Sequence, residues 1–458
     1  MTSDPARAPT FSLVVLATSM AFVVGQLDVT IVNVALPAMA RALDTGVAGL
    51  QWVVDAYAVA FAAFMLSAGA LGDRFGARHA YQWGMAIFAL ASAGCALAPA
   101  AGWLDATRAL QGLGAAIMLP NSLALLNHAL ADDAKARARG IGWWTAAGAV
   151  SIAAGPVLGG VLVASLGWPA IFWVNVPLCA AGLWLVRRLR ETPAGRDRPP
   201  LDVAGQVLAT LLLAALIATL IESRTRGFGD ALVMAGAVAT IALAAGLAVV
   251  ERRAAAPVIA TDLFALRDFR NAVFLGTVVN ATYYGAIFVI ALFLQGARHF
   301  TPMQAGLAFL PLTAGFFLSN VASGRVIGRY GTRKPMVAGA LIDLAGFGVL
   351  AWASTLDSLV PMLAGFLLIP TGMGLAVPAM TTTVLSAVEK GRSSLAAALL
   401  NTARQAAGAI GVAGFGALAH GDADHVATGL RITCAVAMAL LAGAALAAFR
   451  LRGVPPHD

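Results

Sequence analysis

Continuous apolar runs of about twenty residues recur along the whole chain, each ended by a short polar or charged stretch, and a helix of that length crosses roughly 30 Å of hydrocarbon. The breaks are rich in Gly, Pro, Asp and Arg, which end helices and open loops. Strands of a transmembrane β-barrel would alternate apolar and polar residues with period two, so the pattern predicts helices. The predicted spans lie near 11–36, 47–70, 80–98, 103–127, 140–165, 169–186, 203–221, 231–250, 271–294, 303–323, 336–354, 359–382, 395–419 and 428–449, fourteen in all.

After the second run comes Gly69-Ala-Leu-Gly-Asp-Arg-Phe-Gly-Ala-Arg78, and after the tenth comes Gly324-Arg-Val-Ile-Gly-Arg-Tyr-Gly-Thr-Arg333, 255 residues further on. One unit therefore occurs twice. Six helices, two inserted helices and six helices fit the count. This divides the chain into a first bundle (1–186), linkers with the inserted pair (187–270) and a second bundle (271–458). A membrane protein duplicated in this way usually moves a solute between its halves.

Composition agrees: 60% of residues are hydrophobic, 11% are charged and the mean hydropathy is +0.83. The pI near 10.0 raises nucleic acid as a partner, but the distribution of charge removes it. With the N-terminus inside, only Arg41, Arg224, Arg226, Arg298 and Arg431 of the 30 Lys and Arg fall outside, and Arg108 and Arg404 fall within spans. That bias places both termini in the cytoplasm of a multi-pass inner-membrane protein. The first run is too long for a cleaved signal peptide. Cys95, Cys179 and Cys434 show no pairing pattern, and the six histidines show no metal-ligand spacing, so no metal and no cofactor are expected.

Several fragments together resemble the major facilitator superfamily, in particular its fourteen-helix drug:proton antiporters. They are Leu27-Asp-Val-Thr-Ile-Val-Asn-Val-Ala-Leu-Pro37, the Gly69–Arg78 loop, Arg108-Ala-Leu-Gln-Gly-Leu-Gly114 and Gly155-Pro-Val-Leu-Gly-Gly160. Gln51-Trp-Val-Val-Asp-Ala-Tyr57, Phe172-Trp-Val-Asn-Val-Pro177, Leu201-Asp-Val-Ala-Gly205 and Asn401-Thr-Ala-Arg-Gln405 support the match. The resemblance implies two six-helix bundles plus two helices, and efflux of drugs or other amphiphiles by alternating access, driven by the proton gradient. It implies a role for Arg108 in proton coupling and for Gly155, Pro156, Gly159 and Gly160 in antiport. It also implies that Gly69, Asp73, Arg74, Gly76 and Arg78 form a latch that keeps the inside closed. The second loop copy has Gly328 in place of Asp73.

Asp28, Asp55 and Arg108 all lie about 8–13 Å from the outer end of their spans, at about 1.5 Å per residue. An ionised side chain within a membrane helix costs about 2.5–3.5 kcal/mol, so each should face a partner or a wet cavity. One reading is a structural pair of Asp105 or Asp55 with Arg108. The other makes Asp28 the principal proton carrier, with Arg108 tuning it and Asp55 a second acid, because a carboxylate that binds a proton or a cargo but not both couples the two. The cargo cavity is assigned to Asp28, Asn33, Asp55, Gln111, Asn280, Tyr283, Tyr284, Asn401 and Arg404, while Asp343 either lines the path or pairs with Arg404. In the loop, the arginines are expected to meet Asp132 or Asp133, and simple inside anchoring accounts for part of Arg78.

The expected partners are protons, the lipid bilayer and a cationic or lipophilic small molecule, handled by a monomer. A periplasmic adaptor is left open. An exporter of one metabolite, antibiotic or siderophore is the alternative, and the Gly155 motif argues against uptake by symport. No nucleophile or metal constellation supports an enzyme, and internal duplication disfavours a channel built on oligomeric symmetry.

Overall fold

The computed structural model describes residues 10–131, 133–191, 203–253, 261–388, 393–419 and 421–453, without certain side chains inside the helices. Its helices are α1 (Phe11–Ala42), α2 (Val47–Phe75), α3 (Ala77–Ala96), α4 (Ala101–Ala129), α5 (Ala134–Leu166), α6 (Ala170–Trp173), α7 (Asn175–Val186), α8 (Val203–Arg226) and α9 (Ala231–Arg253). They continue with α10 (Arg267–Leu292), α11 (Pro302–Ala308), α12 (Leu310–Tyr330), α13 (Arg333–Ala353), α14 (Val360–Ser386), α15 (Ser393–Leu418) and α16 (Ala423–Phe449). Helices fall on all of the predicted runs, with 169–186 divided between α6 and α7 and 303–323 between α11 and α12.

Among the described residues ten of these segments are long and apolar enough to cross a membrane, or eleven if the bent α5 is one span. The segments that fall short are α3, which opens on Arg78 and His79, the broken pair α6 and α7, and α15, which carries Asn401, Arg404 and Gln405 in mid-helix. The bend in α5, 40° between its two parts, lies one turn before Pro156, whose ring nitrogen donates no hydrogen bond to the preceding turn.

The duplication extends far beyond the loop. Shifting Val47–Phe75 by 255 residues gives 302–330, the span of α11 and α12, and Phe11–Ala42 maps in the same way onto α10 with the π-helical turn Phe293–Ala297. Packing repeats with it: α1 on α5 is matched by α10 on α15, α2 on α4 by α12 on α14, and α3 on α4 by α13 on α14.

The halves meet where α2 packs on α15 and where α5 packs on α11 and α12. One apolar core fills the second half, from Phe269 and Met336 near the Gly331 loop to Phe293 and Phe309, and crosses into the first half at the end remote from the Gly76 loop, at Ile31 to Met39 of α1. At the loop end the first half keeps a core of its own, from Val14 to Leu189. Of the inserted helices, α8 lies on both α2 and α15, and Val59, Ile217, Ile221, Ala409 and Ala413 join in one buried cluster there.

Candidate functional site

Asp28 is fully buried, in a stretch of α1 in which Leu27 and Thr30 to Leu36 are buried as well. On α4, Arg108 and Gln111 share a face at i and i+3. The Arg108 guanidinium forms an ion pair with Asp28 Oδ2 and donates to Gln111 Oε1 at 2.9 Å and, through Nε, to the Val53 carbonyl at 2.9 Å. Asn175 donates to Asp28 Oδ1 at 3.0 Å and Gln111 at 3.3 Å, and both amides also reach Ser92 Oγ, at 3.1 and 3.0 Å. The Tyr57 ring lies 4.5 Å from the guanidinium carbon and Phe172 lies 5.9 Å away, adding cation–π attraction. Five buried side chains from α1, α3, α4 and α7 thus hold one positive and one negative charge in register. Arg108 pairs with Asp28, rather than with Asp55 or Asp105 as the structural reading expected.

A cavity opens between the halves, with Arg108 in its wall. Asn33, Tyr57 and Arg108 line it from the first half, and Tyr284, Gln405 and Gly408 from the second. Of the residues assigned to the cargo path, Asn33 and Tyr284 therefore reach it, as does Arg108 of the coupling group. Asp28 and Gln111 stand behind the arginine. Asn280 is buried and donates to the Gly276 carbonyl at 2.9 Å within its own helix. Asn401 and Arg404 are half-buried on α15, where Arg404 packs beside Gly276 and leaves Nε without a partner among the described residues. Tyr283 borders a second, smaller cavity with Thr30, Asn33 and Pro156.

Asp55 stands apart from this cluster. It is fully buried on α2, one turn from Gln51, whose amide donates to the Val412 and Ala413 carbonyls of α15 at 3.3 and 2.8 Å. Both Asp55 oxygens lack a hydrogen-bond partner among the described residues. It belongs to the seam between the halves.

The glycine motif of α5 closes the remote end. A Cβ on Gly155 would stand 2.0 Å from Thr30 Oγ1, and one on Gly159 would stand 2.9 Å from Ile31, so α1 packs directly on this face. Gly160 and Pro156 face the other half: a Cβ on Gly160 would lie 2.9 Å from the Pro302 carbonyl, and one on Gly306 would lie 2.4 Å from the Pro156 carbonyl. Gln295 donates to the Val34 carbonyl at 3.0 Å nearby.

In the first loop, Gly76 has φ +91 and its repeat Gly331 has φ +72, the left-handed region that glycine occupies without strain. Arg78 finds an acidic partner in Glu191, far along the chain. Arg78 bonds Glu191 through its backbone N–H at 3.0 Å and Nε at 3.3 Å, and donates to the Leu189 carbonyl at 2.9 Å. Asp133 accepts from the Ala136 N–H at the start of α5. Arg74 is exposed and lies over Phe75. Gly69 and Asp73 fall within α2, but the surroundings of both and the whole of Asp132 lie outside the described residues.

A family model described as Major Facilitator Superfamily matches residues 18–412. The chain belongs to that superfamily. It is 36% identical over 443 residues to a methylenomycin A resistance protein of Streptomyces coelicolor, covering 96% of this chain and 92% of the relative. It is 34% identical to the drug efflux pump JefA of Mycobacterium tuberculosis, covering 90% and 80%. Among solved structures, a POT family transporter in complex with 5-aminolevulinic acid superposes with a TM-score of 0.71 at 11% identity, covering 94% of each chain. The human organic anion transporter MFSD10 gives 0.65 at 16%, covering 97% and 100%. At such identities the likeness is of fold alone.

For this superfamily member, sequence reasoning did not assign Ser92, Asn175, Tyr57 or Gln405 to the site. Three of them lie inside quoted fragments, Asn175 in Phe172–Pro177, Tyr57 in Gln51–Tyr57 and Gln405 in Asn401–Gln405. Ser92 sits in an ordinary apolar run and carries no sequence signal.

Proposed function

We propose that this chain is a proton-driven exporter of drugs or other amphiphilic small molecules, with fourteen spans, a six-helix bundle at 1–186 and another at 271–458, and both termini in the cytoplasm of the inner membrane. Names of relatives support the class of activity. The observation that carries the coupling is the placement of Arg108, bonded to the buried Asp28 on one side and lining the inter-half cavity on the other.

With Asp28 ionised, the guanidinium is held back against Tyr57 and Gln111. Protonation of Asp28 removes the counter-charge, and the freed cation alters the field of the cavity wall, so that a bound cation is expelled as the proton is taken up. The packed α5–α11 contact closes the far end in this state, which leaves access from the side of the termini, as loading of cytoplasmic cargo requires. Tyr57 and Tyr284 offer apolar and cation–π contacts to a lipophilic cation. No cofactor enters this scheme, and a monomer contains every part of it.

The test is uncoupler-sensitive efflux of ethidium from a pump-deleted host and from proteoliposomes. Asp28→Asn should abolish gradient-driven transport while the protein remains folded, and full retention would refute the assignment. A narrower cargo is favoured by relatives named for single antibiotics, such as the tetracenomycin C resistance and export protein of Streptomyces glaucescens. In that case ethidium would fail and one antibiotic would be exported with the same dependence on Asp28.

A further inference from the structure

The helix pair α3–α4 and its repeat α13–α14 cross in the same way. A Cβ on Gly114 would lie 2.7 Å from the Phe88 nitrogen, and a Cβ on Gly372 would lie 2.6 Å from the Asp343 nitrogen. Gly84 and its repeat Gly339 complete the two crossings, with Gly84 against Gly114 and Gly339 against Gly372. Phe88 and Asp343 are 255 residues apart, so they hold one packing position in two copies of one unit. The first copy fills that position with a fully buried aromatic ring, which is what the crossing needs, whereas the second places a carboxylic acid there, 1% exposed.

Neither oxygen of Asp343 has a hydrogen-bond partner among the described residues, and the Tyr283 hydroxyl, within electrostatic reach of it, has none either. Tyr283 is the repeat of Asp28, again 255 residues on. The other elements against α13 bring no charge to this level. α14 carries no ionisable residue, Arg325 and Arg329 lie toward the loop end of α12, and Arg431 lies near the opposite end of α16. Arg404, the alternative partner, is on α15 beside Gly276. Burying an unpaired carboxylate is costly, and packing does not require it. Tyr283 also borders the small cavity beside Asn33 and Pro156, so one residue belongs both to the electrostatic surroundings of Asp343 and to the wall of that cavity.

We propose that Asp343, with Tyr283 as its relay to that cavity, is a second protonation site of the transport cycle, in the second half as Asp28 is in the first, though at a different position of the repeated unit. This rests on the exporter reading above. It adds one proton per cycle: Asp343 takes a proton through Tyr283 while the halves are open to the acidic side and returns it by the same route on the other.

Infrared difference spectra of the purified protein between acid and alkaline pH, which need no substrate, should contain a protonated-carboxyl C=O band that Asp343→Asn removes and Tyr283→Phe shifts. Asp343→Glu should keep a displaced band. In proteoliposomes, with pyranine reporting protons and ethidium as cargo, the ratio of protons to cargo should fall by one in Asp343→Asn. A spectrum and a ratio unchanged by Asp343→Asn overturn the proposal. If the wild type shows no uncoupler-sensitive transport of ethidium or of any antibiotic tried, the exporter reading fails, and the infrared band still decides whether Asp343 exchanges a proton.

Discussion

Arg108 connects Asp28 to the space between the halves: its guanidinium bonds the carboxylate within the first bundle and forms part of the cavity wall. Removing one member of such a buried pair leaves an uncompensated charge, at a cost of about 3–5 kcal/mol. Arg108→Gln and Asp28→Asn should therefore each lower the thermal unfolding midpoint in detergent. The double variant Asp28→Asn with Arg108→Gln should recover most of that loss, because it keeps the amide network to Asn175 and Ser92 without either charge. Additive losses in the two single variants and their combination would show that the pair does not interact.

The α5–α11 contact is governed by glycine. Valine at Gly160 would drive its side chain into the Pro302 backbone, and overpacking of this kind costs about 1–3 kcal/mol. The strain falls on the state that has the contact. Gly160→Val should thus shift the population toward opening at the remote end, by about 5- to 150-fold. With Cys95, Cys179 and Cys434 replaced, a cysteine at Asn33 should become several-fold more reactive to an impermeant maleimide added outside. Unchanged labelling would mean that this contact does not gate the outer end.

Much of the architecture was legible because membrane helices are written as long apolar runs, and because a duplicated loop betrays a duplicated unit. The position of Arg108 and Asp28 at one level followed from helix rise alone. What did not follow was the direct partnership, since a linear sequence shows depth but not which faces converge, and Asp55 and Asp105 stood as rival partners of Arg108. The Arg78–Glu191 pair was hidden for a related reason: it joins a loop to the exit of α7, more than a hundred residues later. The Gly84–Gly114 and Gly339–Gly372 crossings were equally invisible, because glycines are common in such helices and only proximity distinguishes those that touch.

The Gly76 loop separates backbone from charge. Alanine at Gly76 must adopt φ +91 and place its Cβ 2.5 Å from Glu191 Oε1, strain of about 1–3 kcal/mol. Glu191→Gln removes a half-exposed ion pair, worth about 0–1 kcal/mol. Chemical denaturation of both variants should rank Gly76→Ala clearly below Glu191→Gln in stability. The reverse order would make the ion pair, rather than the turn, the element that fixes this end of α2.

The inserted pair offers the sharpest test of topology. α9 is apolar all round, with Leu232, Val238 and Ile241 more than half exposed, and it packs on α8 alone among the stronger contacts, so its surface is suited to lipid and not to water. If α8 and α9 each cross the bilayer, the turn at Gly227–Asp230 lies opposite Gly453, which follows α16. Alkaline phosphatase fused after Gly229 should then be active, and the same enzyme fused after Gly453 should be inactive. A cysteine at Gly229 should react with impermeant reagent in intact cells. Equal reporter activity at the two sites would put the turn and Gly453 on one side, which fourteen crossings with two internal termini forbid.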